Sequence, residues 1–355
     1  MADIRIDSHK LMFHVDRLNK WLKGEKFFPI YVEVGPSGAC NHRCIFCALE
    51  YLGYEARYIN TEMFKERLEE MAGGGVKSLM FAGEGEPLLH KDIEELIVFA
   101  KMCGIDVSVT TNGVLINKRI SEESLKALSW IRVSFNAATR ENYARVHGTQ
   151  ADDFDRVLDN LKQLVSMKRH HQYSCTIGVQ LLMIPENYQE TERLANILKE
   201  IGVDYFSIKP FSKHPLSSHS LDGSFDYGEM LSFQEDLNHL SSEDFKILFR
   251  DHTMTKLTEK ERGYDCCLGL PFWAYISSDG GVWACSAFLG NEEFLYGNLY
   301  EKTFTQIWEG PERKKVLEMV EHALDVSKCR EVCRLDEINR FLWELKNPHP
   351  HVNFI

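Results

Sequence analysis

Three cysteines stand inside eight residues, Cys40-Asn41-His42-Arg43-Cys44-Ile45-Phe46-Cys47, at the spacing C-x3-C-x2-C. Clustered thiolates suit zinc or iron–sulfur chemistry. A cubane of four irons normally takes four thiolates, so a loop that offers three leaves one iron open to an outside ligand. Ile45 and Phe46 give the loop apolar neighbours that hold bulk water off. A tetrahedral zinc site asks for a fourth Cys or His at knuckle spacing. His42 lies between two of the cysteines, too close to both to close a tetrahedron comfortably. Chance clustering of three thiols is the remaining alternative.

Two further stretches carry chemistry. Phe81-Ala82-Gly83-Glu84-Gly85-Glu86-Pro87 directly follows a strand-like run. Its glycines let the backbone approach a ligand closely, and strand-end carbonyls beside a carboxylate suit a cationic amine. Taken alone, the stretch also reads as an ordinary Gly/Pro turn. Beyond residue 260 come Cys266, Cys267, Cys285, Cys329 and Cys333. Asp279-Gly280 between the runs 272–276 and 282–284 is a hairpin signal, and the hairpin brings Cys267 and Cys285 toward each other. Cys329 and Cys333 share one face if their stretch is helical. Four thiolates close a cubane completely. Spacing excludes neither Cys266 nor Cys267, and free buried thiols are the alternative.

The elements that must position these groups alternate regularly. Residues 30–34, 77–81, 105–110, 131–135, 175–183 and 205–209 read as strands. Helical patterns separate them: one capped by Asn60 or Thr61 and stopped at Gly73-Gly74-Gly75, then 91–102, one opening at Ser121, 154–167 and 188–201. Such alternation predicts a parallel sheet with crossover helices. Eight strands would close a barrel. Six predict an α/β fold, a partial (β/α)6 TIM-like barrel, followed by a small C-terminal α+β iron–sulfur domain. The expected segments are an N-terminal extension 1–28, the barrel 29–225, a helical connection 226–262, the cluster domain 263–340 and a tail 341–355. Residues 212–225 read as a loop, either bordering the site or linking domains. Residues 229–260 read as helix then short strand. The tail either folds over the barrel mouth or is disordered. Chemistry in such sheets sits at the C-terminal strand ends, where the cysteine loop and Gly83–Pro87 both lie. Ser134 and Asn136 share the inward face of the fourth strand. Gln180 is polar within an apolar run and Lys209 ends the sixth strand; both are candidates to touch substrate.

The cysteine loop, with an aromatic residue just before Cys47, resembles the radical S-adenosylmethionine (radical SAM) superfamily. The resemblance implies that the open iron chelates the amino and carboxylate groups of S-adenosylmethionine. One electron then releases a 5′-deoxyadenosyl radical that takes hydrogen from the substrate. Gly83-Glu84-Gly85-Glu86-Pro87 is similar to the family's motif for the cofactor's amino group, although Gly often stands where this chain has Glu84. Ser134 and Asn136 match positions that hold the ribose or carboxylate, and Arg145 is a candidate partner of that carboxylate. Cys267, Gly280 and Cys285 fit the Cys…Gly-x4-Cys arrangement of the SPASM/twitch extension. That likeness implies a second [4Fe-4S] cluster on Cys267, Cys285, Cys329 and Cys333, in the shorter, one-cluster form. The last pair is spaced C-x3-C here, where relatives often have C-x2-C.

Composition sets bounds. The 355-residue chain has a net charge of −12 and 44% hydrophobic residues. That charge argues against nucleic acid or an anionic membrane surface as the main partner. No stretch approaches the roughly 20 apolar residues of a membrane span, and no signal peptide is evident. A cytoplasmic location is expected. The expected enzyme abstracts hydrogen from a small polar molecule, a sugar, cyclitol or nucleotide-linked compound, and draws electrons from a flavodoxin- or ferredoxin-type reductant. The auxiliary cluster would accept an electron from the substrate radical, giving net oxidation, as in the aminocyclitol dehydrogenases this architecture is similar to. The alternatives are an epimerase, which needs a hydrogen-donating thiol such as Cys175, Cys103 or Cys266, a radical carbon–carbon bond-forming enzyme, and a maturase of ribosomally made peptides.

Overall fold

The computed structural model describes residues 9–218, 221, 233–234, 237–258 and 262–354. Its strands are β1 (Tyr31–Val34), β2 (Ser78–Phe81), β3 (Asp106–Thr111), β4 (Leu128–Ser134), β5 (Thr176–Met183), β6 (Tyr205–Pro210), β7 (Lys246–Phe249), β8 (Trp273–Ile276), β9 (Gly281–Trp283) and β10 (Leu295–Asn298). They form one sheet in the order β10-β9-β8-β1-β2-β3-β4-β5-β6-β7. All pairings from β1 to β7 are parallel, and β8 adds in parallel to the other side of β1. The β9 and β10 pairings are antiparallel. The six expected strands are all present. Beyond them, β7 lengthens one edge and the C-terminal hairpin lengthens the other, so the sheet is open, with β7 and β10 as its edges.

Alternation decides what each strand buries. Val32, Val34, Leu79, Phe81, Val107, Val109, Ile131, Val133, Ile177 and Val179 are fully buried in the main apolar core. The opposite row is polar. Glu33 aligns with Met80 and Ser108, Thr110 with Arg132 and Gly178, and Ser134 with Gln180 and Ser207. The inner face of the partial barrel therefore carries polar and charged groups where the opposite face is apolar.

The helices begin where capping chemistry places them. Asn60, not Thr61, caps helix Thr61–Gly73, accepting the Met63 N–H at 2.9 Å. Ser121 and Ser124 form a reciprocal capping box. Helix Arg140–His147, capped by Thr139, carries Arg145 and is not among the helices expected from the sequence. Cys329 and Cys333 are not on a helix: a 3-10 turn at Val326–Lys328 leads into an irregular loop, and helix Asp336–Lys346 starts only afterwards. Asp325 caps that turn. After β7 comes a further helix, Asp251–Thr258. Much of the expected 212–225 loop and of the helix expected from 229 lies outside the described residues.

The two ends of the chain meet. Leu11, Leu18, Ile30, Leu268, Phe272 and Leu342 form a second apolar cluster. Arg17 ties the N-terminal helix Val15–Leu22 to the barrel through Phe28 O at 2.9 Å and Gly75 O at 2.8 Å. Residues 347–354 are exposed. Among the described residues no helix is long and apolar enough to cross a membrane.

Candidate metal and cofactor site

The cysteine loop leaves β1 and is clamped from two sides. On one side, Ala39 O accepts the Glu86 N–H at 2.8 Å. Gly83 sits at φ +114, where a Cβ would come 2.5 Å from Gly35 Cα; a Cβ on Gly85 would overlap Ser37 O and Ala39 O. Only glycine permits that approach. On the other side, the last carbonyls of helix Arg140–His147 accept the loop's amides: Arg43 N–H to His147 O and Ile45 N–H to Val146 O, each 3.0 Å. Arg43 closes the loop on itself through Cys40 O and His42 O, both 2.7 Å, and stacks over Tyr54 at 4.2 Å. Asn112 holds Asn41 at 2.7 Å.

Inside this clamp the thiols are half-buried and crowded. Burial, then the Glu86 charge, then Cys47, push Cys40 up to about 12. Burial, Cys47 and Cys40 push Cys44 well up. Three thiols that repel one another as thiolates are a donor set that a cationic metal site relieves. The residues fit the iron–sulfur cluster expected from the sequence.

His147 defines the surroundings of Cys44. Its Nε2 accepts the Asn136 N–H at 3.1 Å, so its proton sits on Nδ1, 3.5 Å from Cys44 Sγ. Burial keeps the ring neutral. The ligand atoms of His42, Cys44 and His147 lie within 4.8 Å of one another. With Nε2 occupied and Nδ1 protonated, His147 donates to the thiolate rather than competing for its metal. His42 leans on Asp153 at 3.6 Å, and Phe46 meets His147 edge-on at 5.6 Å.

The two glutamates of the Gly-rich stretch serve the backbone. Glu86 accepts from Thr111 Oγ1 (2.6 Å), Asn112 N (2.7 Å) and Leu88 N (3.0 Å). Glu84 accepts from Ser278 N at 2.8 Å and Tyr275 Oη at 3.3 Å, which ties the stretch to the C-terminal hairpin. Both carboxyls are pushed up by burial, against hydrogen bonds that lower them. Asn136 is fully engaged: its Oδ1 accepts Leu182 N–H at 2.6 Å and its Nδ2 faces His147 Nε2 at 3.3 Å. Ser134 lies half-buried beside Gln180. Arg145 is exposed and bonded to Asn142 and Glu186 O.

The second thiol set is assembled from three segments. Burial and the neighbouring thiolates push Cys267 up to about 12, Cys285 well up and Cys329 to about 11, with Cys333 a contributor to all three. Asn339 Nδ2, Ala287 N–H and Leu335 N–H each stand 3.4 Å from the sulfurs of Cys267, Cys285 and Cys333. Such donors favour thiolates and tune a bound cluster. Cys266 separates from this set: it packs in the cluster of the chain ends, and the charges that act on it are Glu321, Lys346 and Asp265. Cys175 precedes β5, near Lys168 and Asp204. It lies at the opposite strand end from the cysteine loop. Lys209 and Gln180 lie in the lumen rows. The sequence reading missed His147, Asn112 and Asn339. It also missed Arg132, which a single cation in the inward row of β4 would have signalled.

An open parallel barrel with a three-thiol loop after its first strand and four thiols in a C-terminal extension defines a radical SAM enzyme. The chain belongs to that superfamily: residues 34–209 match the radical SAM superfamily model, and residues 266–334 match the SPASM iron–sulfur cluster-binding domain. The first domain binds S-adenosylmethionine and a [4Fe-4S] cluster, and the second binds additional iron–sulfur clusters. The chain is 30% identical over 191 residues to a GTP 3′,8-cyclase of Chlorobaculum tepidum, spanning 52% of this chain and 56% of that protein. It is 26% identical to an AdoMet-dependent heme synthase of Methanosarcina barkeri, over 78% and 81% of the two chains. Its fold resembles Streptococcus suis SuiB bound to S-adenosylmethionine, with a TM-score of 0.64, 19% identity and coverage of 89% and 75%.

Proposed function

We propose that this enzyme oxidises a small polar molecule held in the lumen between its two thiol sites. Cys40, Cys44 and Cys47 hold one [4Fe-4S] cluster. The main chain of Gly83 to Glu86 receives the amino group of S-adenosylmethionine, with Ser134 beside it. When bound, this pair supplies hydrogen abstraction through one-electron cleavage of the sulfonium. Glu86 and helix Arg140–His147 clamp the loop and fix the positions of its thiols. Cys267, Cys285, Cys329 and Cys333 hold the auxiliary cluster as a fully ligated electron acceptor. Gln180 and Lys209 face the substrate. A flavodoxin- or ferredoxin-type protein is the proposed electron donor.

The observation that carries oxidation over epimerisation is the position of the spare thiols. Cys175 lies at the far strand end and Cys266 packs among the chain termini. Cys103 ends helix Ile93–Met102, outside the barrel. None of them lines the lumen to return a hydrogen atom. Radical carbon–carbon bond formation is the second reading, favoured by similarity to a cyclase. The test is anaerobic incubation with cofactor, reductant and metabolite pools in deuterated water. Oxidation gives a product two hydrogens lighter with no solvent deuterium. A product of unchanged oxidation state with one deuterium added would overturn it in favour of epimerisation.

A further inference from the structure

A chain of hydrogen bonds runs from the ends of β4 and β5 to one thiol of the cysteine loop. Asn136, just past β4, is held at three points. Its Oδ1 accepts the Leu182 N–H of β5 at 2.6 Å, its carbonyl accepts Asn187 Nδ2 at 3.0 Å, and its own N–H donates to His147 Nε2 at 3.1 Å. Asn187 is buried and fixed in turn: Nδ2 also donates to Leu182 O at 2.8 Å, and Oδ1 accepts the Ile184 N–H at 2.9 Å. The other ring nitrogen of His147, Nδ1, stands 3.5 Å from Cys44 Sγ.

A main-chain amide can only donate, so Nε2 must accept, and a neutral imidazole with Nε2 unprotonated carries its proton on Nδ1. An imidazolium would set two N–H groups against each other at Nε2. Packing fixes the ring: Tyr143 stacks on it at 4.2 Å, Phe46 meets it edge-on at 5.6 Å and His42 at 5.3 Å. The helix that carries it is seated hard against the loop, since a Cβ on Gly148 would overlap Arg43 O. The Nδ1–H is thus aimed at Cys44. Cys40 takes a donor from within the loop, the His42 N–H at 3.5 Å. Cys44 takes one from outside it, through a side chain that a substitution can remove.

We propose that His147 raises the reduction potential of the first cluster by donating its Nδ1–H to the Cys44 thiolate, and that Asn187, acting through Asn136, is a positioning residue for that donor. The inference rests on Cys40, Cys44 and Cys47 as the ligands of that cluster. One-electron reduction adds negative charge shared with the cysteine sulfurs. An N–H dipole pointed at one of them stabilises the reduced form more than the oxidised one. The donor thereby brings the potential nearer the reach of a flavodoxin- or ferredoxin-type reductant. It also links the potential to the strand ends that border the proposed substrate chamber, because Leu182 and Asn187 set where Asn136 points its amide.

The test is an EPR-monitored redox titration of the anaerobically reconstituted holoenzyme, in which the first cluster is recognised by the change of its signal on adding S-adenosylmethionine. His147→Leu should lower the ratio of reduced to oxidised first cluster about tenfold at a fixed poise, about 59 mV for one electron, while the auxiliary cluster keeps its wild-type potential. His147→Asn, which places an amide N–H near the position of Nδ1, should retain most of the wild-type value. Asn187→Ala should give a smaller shift in the same direction, and no further shift when combined with His147→Leu. Wild-type protein carrying ring-15N histidine should show a nitrogen coupling in the pulsed EPR spectrum of the first cluster, lost in His147→Asn. That measurement needs no destabilising variant, and thermal melts with iron content report the fold of the others. An unchanged potential in His147→Leu overturns the proposal, as does a wild-type spectrum without ring-nitrogen coupling or a fully additive effect of Asn187→Ala. If no signal responds to S-adenosylmethionine, or the responsive signal survives when Cys40, Cys44 and Cys47 are all replaced by Ala, the ligand assignment fails and the proposal falls with it.

Discussion

The two thiol sites are built in opposite ways. The first takes all three cysteines from one eight-residue loop, already bent by local contacts such as Arg43 to Cys40 O and His42 O. The second draws Cys267, Cys285, Cys329 and Cys333 from three segments, separated first by β8 and β9 and then by β10 and the helices Phe304–Trp308 and Pro311–His322. A local site pays little loop-closure entropy, whereas a non-local one forms only when the chain between its ligands is ordered. The first site therefore depends on its clamp and the second on the whole C-terminal region. Glu84 joins them: from the Gly-rich stretch beside the first site it accepts the Ser278 amide in the hairpin of the second.

The largest effect separates the sites outright. Reconstituted protein should hold about eight irons, four per cubane. Replacing Cys40, Cys44 and Cys47 together by Ala should leave about half and abolish formation of 5′-deoxyadenosine. Equal 5′-deoxyadenosine from that triple variant would refute the assignment, and stoichiometric zinc without iron would refute both sites. Next, Cys285→Ala or Cys333→Ala should also halve the iron but remove the other half. The spectral response of the first cluster to S-adenosylmethionine should persist while oxidised product no longer accumulates.

Removal of iron sharpens the contrast in dynamics. In chelated protein, amide hydrogen exchange should accelerate at least tenfold in residues 263–335, and less in the clamped loop 36–47, because metal binding and ordering are linked at the non-local site. A uniform change would show that the two regions depend on metal equally. Glu84→Ala tests the tether: leaving the buried Ser278 amide without its acceptor should destabilise the protein by about 1–3 kcal/mol, read as a lowered melting temperature. The smallest effect is expected at Cys266→Ser. Iron content and product yield should match wild type, and a loss of half the iron would move the auxiliary ligand from Cys267 to its neighbour.

Much of this molecule was legible in one dimension. The C-x3-C-x2-C loop, the Gly-rich stretch and the six alternating strands are local patterns, set by side-chain type and by periods of two and 3.6 residues. Asp279-Gly280 announced its hairpin because that pair favours the backbone of a tight turn. Tertiary structure decided the rest. It set Cys267 beside Cys285, Cys329 and Cys333 and turned Cys266 toward the chain ends, a difference that spacing cannot show for adjacent residues. It engaged Glu84 and Glu86 as hydrogen-bond acceptors of Ser278 N, Thr111 Oγ1 and Asn112 N, donors that lie on other elements. It set β8 beside β1, so that one sheet carries both sites. And it brought Arg334 to Glu33 of β1 and Arg330 to Ser212 just past β6. Each of those cations reads in the sequence as one more surface charge. Only a loop returning from the far end of the chain brings them to these strand ends.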